Sequence, residues 1–120
     1  MAIKANLTID QGSDFSATVD VLDANGQPFN LTGYNTRAQM RKNYAGGLTA
    51  EFITTHNDDG GVITLSLGNS DQYDGTTVTQ VGTNSIEPGR YLYDVEIVSN
   101  NNVVTRVVQG TATVTGGVTR

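Results

Sequence analysis

The chain has 120 residues and a mass of 12.7 kDa, a length that suits one domain and is too short for two substantial cores. Seven Lys and Arg against twelve Asp and Glu leave a net charge of −5, which argues against a broad phosphate-binding surface and so against nucleic acid as a partner. With no cysteine, a disulfide scaffold, a thiolate metal site and a cysteine nucleophile are excluded.

Apolar residues recur at alternate positions through Ile3, Ala5, Leu7 and Ile9, which predicts a first strand with one buried face. The turn-forming run Asp10-Gln11-Gly12-Ser13 precedes a second strand, in which Phe15, Ala17, Val19 and Val21 alternate with Ser16, Thr18 and Asp20. Asn25-Gly26 then reverses the chain, because this pair tolerates the positive φ values of a tight turn. Residues 28–34, punctuated by Pro28 and Gly33, read as an irregular edge segment whose Phe29, Leu31 and Tyr34 plug one end of a core. In residues 35–42, Thr36, Ala38 and Met40 alternate with Arg37, Gln39 and Arg41, which favours a strand over a helical turn.

Ala45-Gly46-Gly47 breaks the chain, and residues 48–55 and 62–67 form a hairpin about Asp58-Asp59-Gly60-Gly61. Residues 68–88 have weak periodicity and form the longest loop, where contacts tend to be carried. A last hairpin joins Tyr91, Tyr93, Val95 and Ile97 through Asn100-Asn101-Asn102 to a strand over residues 103–115. The recurrence of strands without a helical period predicts an all-β, antiparallel sandwich or barrel of about seven or eight strands. Residues 1–120 form a single domain, with 116–120 an extended C-terminal tail. The first residues lack the apolar run of a secretory signal, and no window reaches the roughly 18 apolar residues of a membrane span, so a mature, soluble chain is expected.

Candidate chemistry is sparse. His56, the only histidine, stands near Asp58 as a conceivable metal ligand or general base, but no nucleophile accompanies it and it reads as a solvated hairpin tip. Asp94 and Glu96 project from one strand face about 7 Å apart, within the glycosidase range. A three-residue loop at 100–102 puts Glu96 opposite Arg106, however, and an ordinary cross-strand ion pair is the simpler reading. The groups Asp23-Ala24-Asn25-Gly26, Asp58-Asp59-Gly60 and Asp71-Gln72-Tyr73-Asp74-Gly75 combine oxygen donors with turns, but none completes an EF-hand and turns prefer these residues anyway.

Arg37, Arg41 and Lys42 form a basic cluster near Tyr34 and Tyr44, suited to a salt-bridged contact with an acidic partner. Tyr91 and Tyr93 share a face with Val95 and Ile97 and are assigned to the core. No catalytic residue, metal site or cofactor site is assigned.

The order Ile9-Asp10-Gln11-Gly12-Ser13-Asp14-Phe15, Asn30-Leu31-Thr32-Gly33-Tyr34, Arg37-Ala38-Gln39-Met40-Arg41, Gly60-Gly61-Val62-Ile63-Thr64-Leu65, Pro88-Gly89-Arg90-Tyr91-Leu92-Tyr93-Asp94-Val95-Glu96 and Arg106-Val107-Val108-Gln109-Gly110 is informative as a set. With these motifs the chain resembles the small Ig-like β-sandwich virion structural proteins of tailed bacteriophages, most closely those of cyanophages. The resemblance covers nearly the whole chain and departs from it in the loop 68–86. It implies an antiparallel Ig-like sandwich and a non-enzymatic viral protein of the virion, assembled in the host bacterial cytoplasm. Capsid cement or decoration is the leading expectation, through contacts with the major capsid protein or tail and neck components and as a homo-oligomer or lattice-bound copy. A tail- or baseplate-attached adhesion module that binds host-surface carbohydrate is the alternative. No nucleic acid or membrane is expected as partner. On this reading Gly12, Gly33, Gly89, Tyr34, Tyr91 and Tyr93 determine the fold.

Overall fold

The computed structural model describes residues 3–43 and 46–117. Its elements are β1 (Ile3–Lys4), β2 (Leu7–Asp10), β3 (Phe15–Asp20), β4 (Asn35–Arg41), β5 (Leu48–Asn57), β6 (Val62–Leu67), β7 (Gln72–Tyr73), β8 (Val78–Gln80), a 3₁₀ turn (Thr83–Ser85), β9 (Gly89–Val98) and β10 (Val104–Thr115). Among the described residues there is no helix long and apolar enough to cross a membrane. The protein is all-β. Eight strands form one curled sheet in the order β1-β10-β9-β4-β5-β6-β3, with β2 also on β10, and β7 and β8 form a small second sheet.

The curl is made by β5. Its first half pairs with β4, up to Ala38 opposite Phe52, and its second half pairs with β6, from Ile53 opposite Ser66. At the divergence the Thr36 and Thr54 hydroxyls lie 2.9 Å apart, and Thr54 Oγ1 also donates to the Thr36 carbonyl. These bonds satisfy backbone that the ladder no longer serves. The curled faces enclose one core, in which Ile9, Leu31, Met40, Ile63, Leu65 and Val95 are fully buried.

Alternation sets the faces as expected: Tyr91, Tyr93, Val95 and Ile97 on β9 are buried, and the residues between them are not. The segment after Pro28 also behaves as expected, with Leu31 buried and the Phe29 and Tyr34 rings edge to face at 5.5 Å. The loop at 100–102 bonds Ser99 N–H to the Val103 carbonyl, and Asn102 takes φ 63°, the left-handed residue of a three-residue hairpin loop.

Three expectations are corrected. The sheet is mixed rather than wholly antiparallel, because β1 and β2 both run parallel to β10. The predicted first strand is broken at Ala5-Asn6, where the chain crosses Gly110: a Cβ on Gly110 would lie 1.8 Å from the Ala5 carbonyl oxygen. That oxygen accepts from Tyr93 OH at 2.7 Å, and the Asn6 side chain takes the Thr111 N–H in place of a backbone partner. Ile3 is consequently 46% exposed instead of buried. Third, the loop 68–88 is not structureless. Besides β7 and β8 it carries Thr83, fully buried, whose hydroxyl accepts from Gly12 N–H and donates to the Ser13 carbonyl, while Gln11 Nε2 donates to the Ile86 carbonyl. Of the expected tail, residues 118–120 lie outside the described residues.

Candidate functional site

The outer face of β4, β9 and β10 carries three cross-strand rows: Arg37, Glu96 and Arg106; Gln39, Asp94 and Gln109; Arg41, Leu92 and Thr111. Because strand side chains alternate, these are the residues left outside when Ala38, Met40, Tyr93 and Val95 point inward. Lys4 and Asn6, brought alongside by the parallel pairing of the N-terminal strands, form one wall. The result is an open groove of about 480 Å³.

Its charges are partly paired and unbalanced. Arg37 Nε donates to Glu96 Oε1 at 2.7 Å, and Arg106 Nε lies 3.2 Å from Asp94 Oδ2. Arg41 donates to the Gly46 carbonyl and to Gln39 Oε1, and Arg106 also reaches Gln109 Oε1. Among the described residues Lys4 has no ion-pair partner. Lys4, Arg37, Arg41 and Arg106 line the groove against Asp94 and Glu96, with the Glu51 carboxylate at its margin on Gln39, so the groove holds a modest excess of positive charge on a chain whose net charge is −5.

Partial burial holds the Asp94 carboxyl above its usual range, with Glu96 raising it further; Arg106 and Arg41 act in the opposite sense. Both carboxylates predicted to share a face do so, and Glu96 does stand opposite Arg106. Their side chains pair differently from expectation, as a bulge between Arg106 and Val108 shifts the ladder there. Arg106 leans to Asp94, and Glu96 turns to Arg37 on the other neighbouring strand.

The predicted basic cluster is divided. Arg37 and Arg41 enter the groove, whereas Lys42 Nζ sits 4.7 Å over the Tyr91 ring. Tyr34 is packed against Phe29 and the core, Tyr73 is 62% exposed on β7, and Tyr44 lies outside the described residues. No aromatic ring opens flat into the groove from the described residues, since Tyr93 is buried beneath it.

His56 and Asp58 are brought together, Nδ1 to Oδ1 at 2.5 Å, at the end of β5 rather than at the turn tip. The acidic turns are occupied by their own backbone. Asp23 Oδ1 accepts from the N–H groups of Asn25 and Gln27, and Asp74 Oδ1 from those of Thr76 and Thr77. Asp71 accepts from Gly82 N–H and from the Ser85 hydroxyl. Among the described residues no group of three or more His, Asp or Glu could hold a metal ion.

Sequence reasoning missed Lys4, Asn6, Gln39 and Gln109 as groove residues. The hairpin register of β9 and β10 would not have found Gln109 either, because it sets Val108 opposite Asp94 and only the bulge after Arg106 brings Gln109 there. Lys4 and Asn6 depend on parallel pairing between the two ends of the chain, for which no local signal exists.

No family model and no curated protein matches the chain. Solved structures similar to it include an internalin-like protein of Listeria monocytogenes (16% identity, 97% of this chain, 28% of that one, TM-score 0.46). Others are a family 123 glycoside hydrolase from Clostridium perfringens (10%, 98%, 24%, TM-score 0.39) and a 2,6-sialyltransferase from Photobacterium sp. JT-ISH-224 (12%, 96%, 18%, TM-score 0.38). The chain spans less than a third of each of these proteins, and at such TM-scores the likenesses carry no argument about what it does.

Proposed function

We propose that this chain is a non-enzymatic structural protein of a tailed-bacteriophage virion, with capsid cement or decoration as its leading role, and that its curled sheet is a variant of the Ig-like sandwich. The single observation that carries the reading is the groove. A cationic, hydrogen-bonded trough on an open sheet face of an otherwise acidic protein suits an acidic segment of a neighbouring protein, held by charge complementarity. Many such modest contacts across a symmetric shell add up to firm attachment. The motifs quoted above from the β2–β3 turn, the 30–34 segment and β9 support the virion assignment by resemblance.

The test is fractionation of purified virions into heads and tails, with this chain quantified against the major capsid protein. A head-fraction copy number on the lattice scale supports cement or decoration. Recovery in the tail fraction moves the protein to neck, baseplate or fibre, where the exposed Tyr73 favours the carbohydrate-binding alternative. Absence from both overturns the virion reading. Arg37→Glu with Arg41→Glu is expected to weaken attachment to the purified particle at least about tenfold, since each lost charge pair at an interface is worth on the order of 1–2 kcal/mol.

A further inference from the structure

Among the described residues several strand edges of the main sheet are not paired by backbone, and the protein treats three of them differently. On β10, residues 104–107 lie beyond the reach of β1, and there the bulge at Arg106/Val108 distorts the edge. The first half of β5 is covered by the β7–β8 hairpin, with Gln80 Nε2 donating to the Glu51 carbonyl. At β3 neither device is present. It pairs only with β6 among the described residues, in unbroken register from Phe15 opposite Leu67 to Asp20 opposite Val62, without proline, bulge or basic residue. Regular edges left in this state are templates for another strand.

The direction of the free groups follows from the ladder. Val21 N–H bonds the carbonyl of Gly61 directly opposite, so alternation turns the backbone of Val19, Ala17 and Phe15 toward β6. The N–H and C=O groups of Ser16, Thr18 and Asp20 therefore face outward. A second observation agrees: Phe15 and Ala17 point to the core side yet remain half-buried, while their partners Leu67 and Leu65 are buried. The core is left open along this strand.

From these observations we infer that β3 is a self-association edge, and that its occupant is β3 of a second copy, antiparallel about a two-fold axis through Thr18. In that register Thr18 meets Thr18, Ser16 meets Asp20, and the outward backbone groups of the two copies bond reciprocally. No like charges are opposed, since each Asp20 carboxylate meets a serine hydroxyl. On the core side Ala17 faces Val19 and Phe15 faces Val21, which completes the burial of Phe15 and Ala17. The sheet becomes continuous across the dimer and leaves the groove on β4, β9 and β10 free.

The experiment uses the whole chain. Sedimentation velocity over a concentration series is expected to show a monomer–dimer equilibrium rising from 12.7 kDa toward twice that mass, and strengthened by salt because copies of net charge −5 repel. Thr18→Pro removes only an outward N–H and is expected to abolish the dimer with the folded circular dichroism spectrum retained; Thr18→Lys places two cations on the axis and does the same. Because the chain has no cysteine, Thr18→Cys is a sharp reporter: opposed residues in such a pair lie about 5.5 Å apart, within disulfide reach, so this variant cross-links to itself on oxidation. Ser16→Cys faces Asp20 and cross-links at least about tenfold more slowly. A monomer at all concentrations, a dimer that survives Thr18→Pro in folded protein, or equal cross-linking of the two cysteine variants overturns the inference.

Discussion

Arg106 stands directly across from Glu96 in the ladder between β9 and β10, yet its guanidinium pairs with Asp94, at 3.2 Å. The displacement leaves Glu96 to Arg37 and ties three strands together across the groove floor.

The first prediction concerns that arrangement. The Asp94 carboxyl is raised, so the folded chain binds its proton more readily than the unfolded chain does. This residue's contribution therefore becomes less favourable as pH rises from the ordinary carboxylate value through the raised one, and more favourable as pH falls. Asp94→Asn is expected to keep neutral stability within about 1 kcal/mol of wild type, since the ion pair it loses is partly exposed. Urea titrations from pH 3 to 7 check this; a loss well above that bound at pH 7 contradicts it.

Tyr93 titrates at the other end of the scale. Burial pushes its hydroxyl up to about 12 from 10.0, and the O–H donates to the Ala5 carbonyl. The unfolded chain releases this proton first, so stability falls as pH rises from about 10 to about 12. Tyr93→Phe is expected to cost about 1 kcal/mol at neutral pH through the lost hydrogen bond and to flatten the alkaline loss, leaving the smaller share of Tyr91, which is also raised. Thermal melts between pH 8 and 12 measure both.

Thr83 holds the long loop to the β2–β3 turn through two hydrogen bonds from one buried hydroxyl. Thr83→Val conserves the shape but strands the Gly12 N–H and the Ser13 carbonyl, so a loss of roughly 1–3 kcal/mol is expected. Limited proteolysis should then cut within 68–88 before the sheet melts. Unchanged stability and unchanged cleavage would show that the loop is held by other contacts.

These residues also mark where sequence reading ends. Alternation placed β3, β4 and β9 and their faces, turn residues placed β6, and the Asn-rich loop set the β9–β10 register as far as Glu96 opposite Arg106, because strand period and turn chemistry are local properties; the bulge beyond was not legible. Burial of Thr83 was not legible: a threonine among Gly, Asn and Ser carries the composition of a loop, and its burial comes with bonds to the distant β2–β3 turn. Nor was the parallel pairing of β1 and β2, because Ile3, Ala5, Leu7 and Ile9 alternate equally well for a strand of either direction. The groove inherits both limits, as its charged rows were visible strand by strand but its Lys4 wall was not.

Gly110 is the position on which that wall depends. A side chain there meets the Ala5 carbonyl oxygen and the Tyr93 ring edge. Gly110→Ala is expected to displace β1 and the crossing at Ala5-Asn6, at a cost on the order of 1–3 kcal/mol, while β9 and β10 stay paired. Hydrogen exchange should show earlier loss of protection at Ala5 and Thr111 than at Val95; uniform loss would argue against a local effect.

The parallel registry of Leu7 to Ala112 and Asp10 to Thr115 has a mechanical meaning. In parallel partners the chain enters at one end of the pair and leaves at the other. Tension applied through the segments before β2 and after β10 therefore pulls the two strands lengthwise past each other, and the bonds of the ladder share the load together instead of opening in succession.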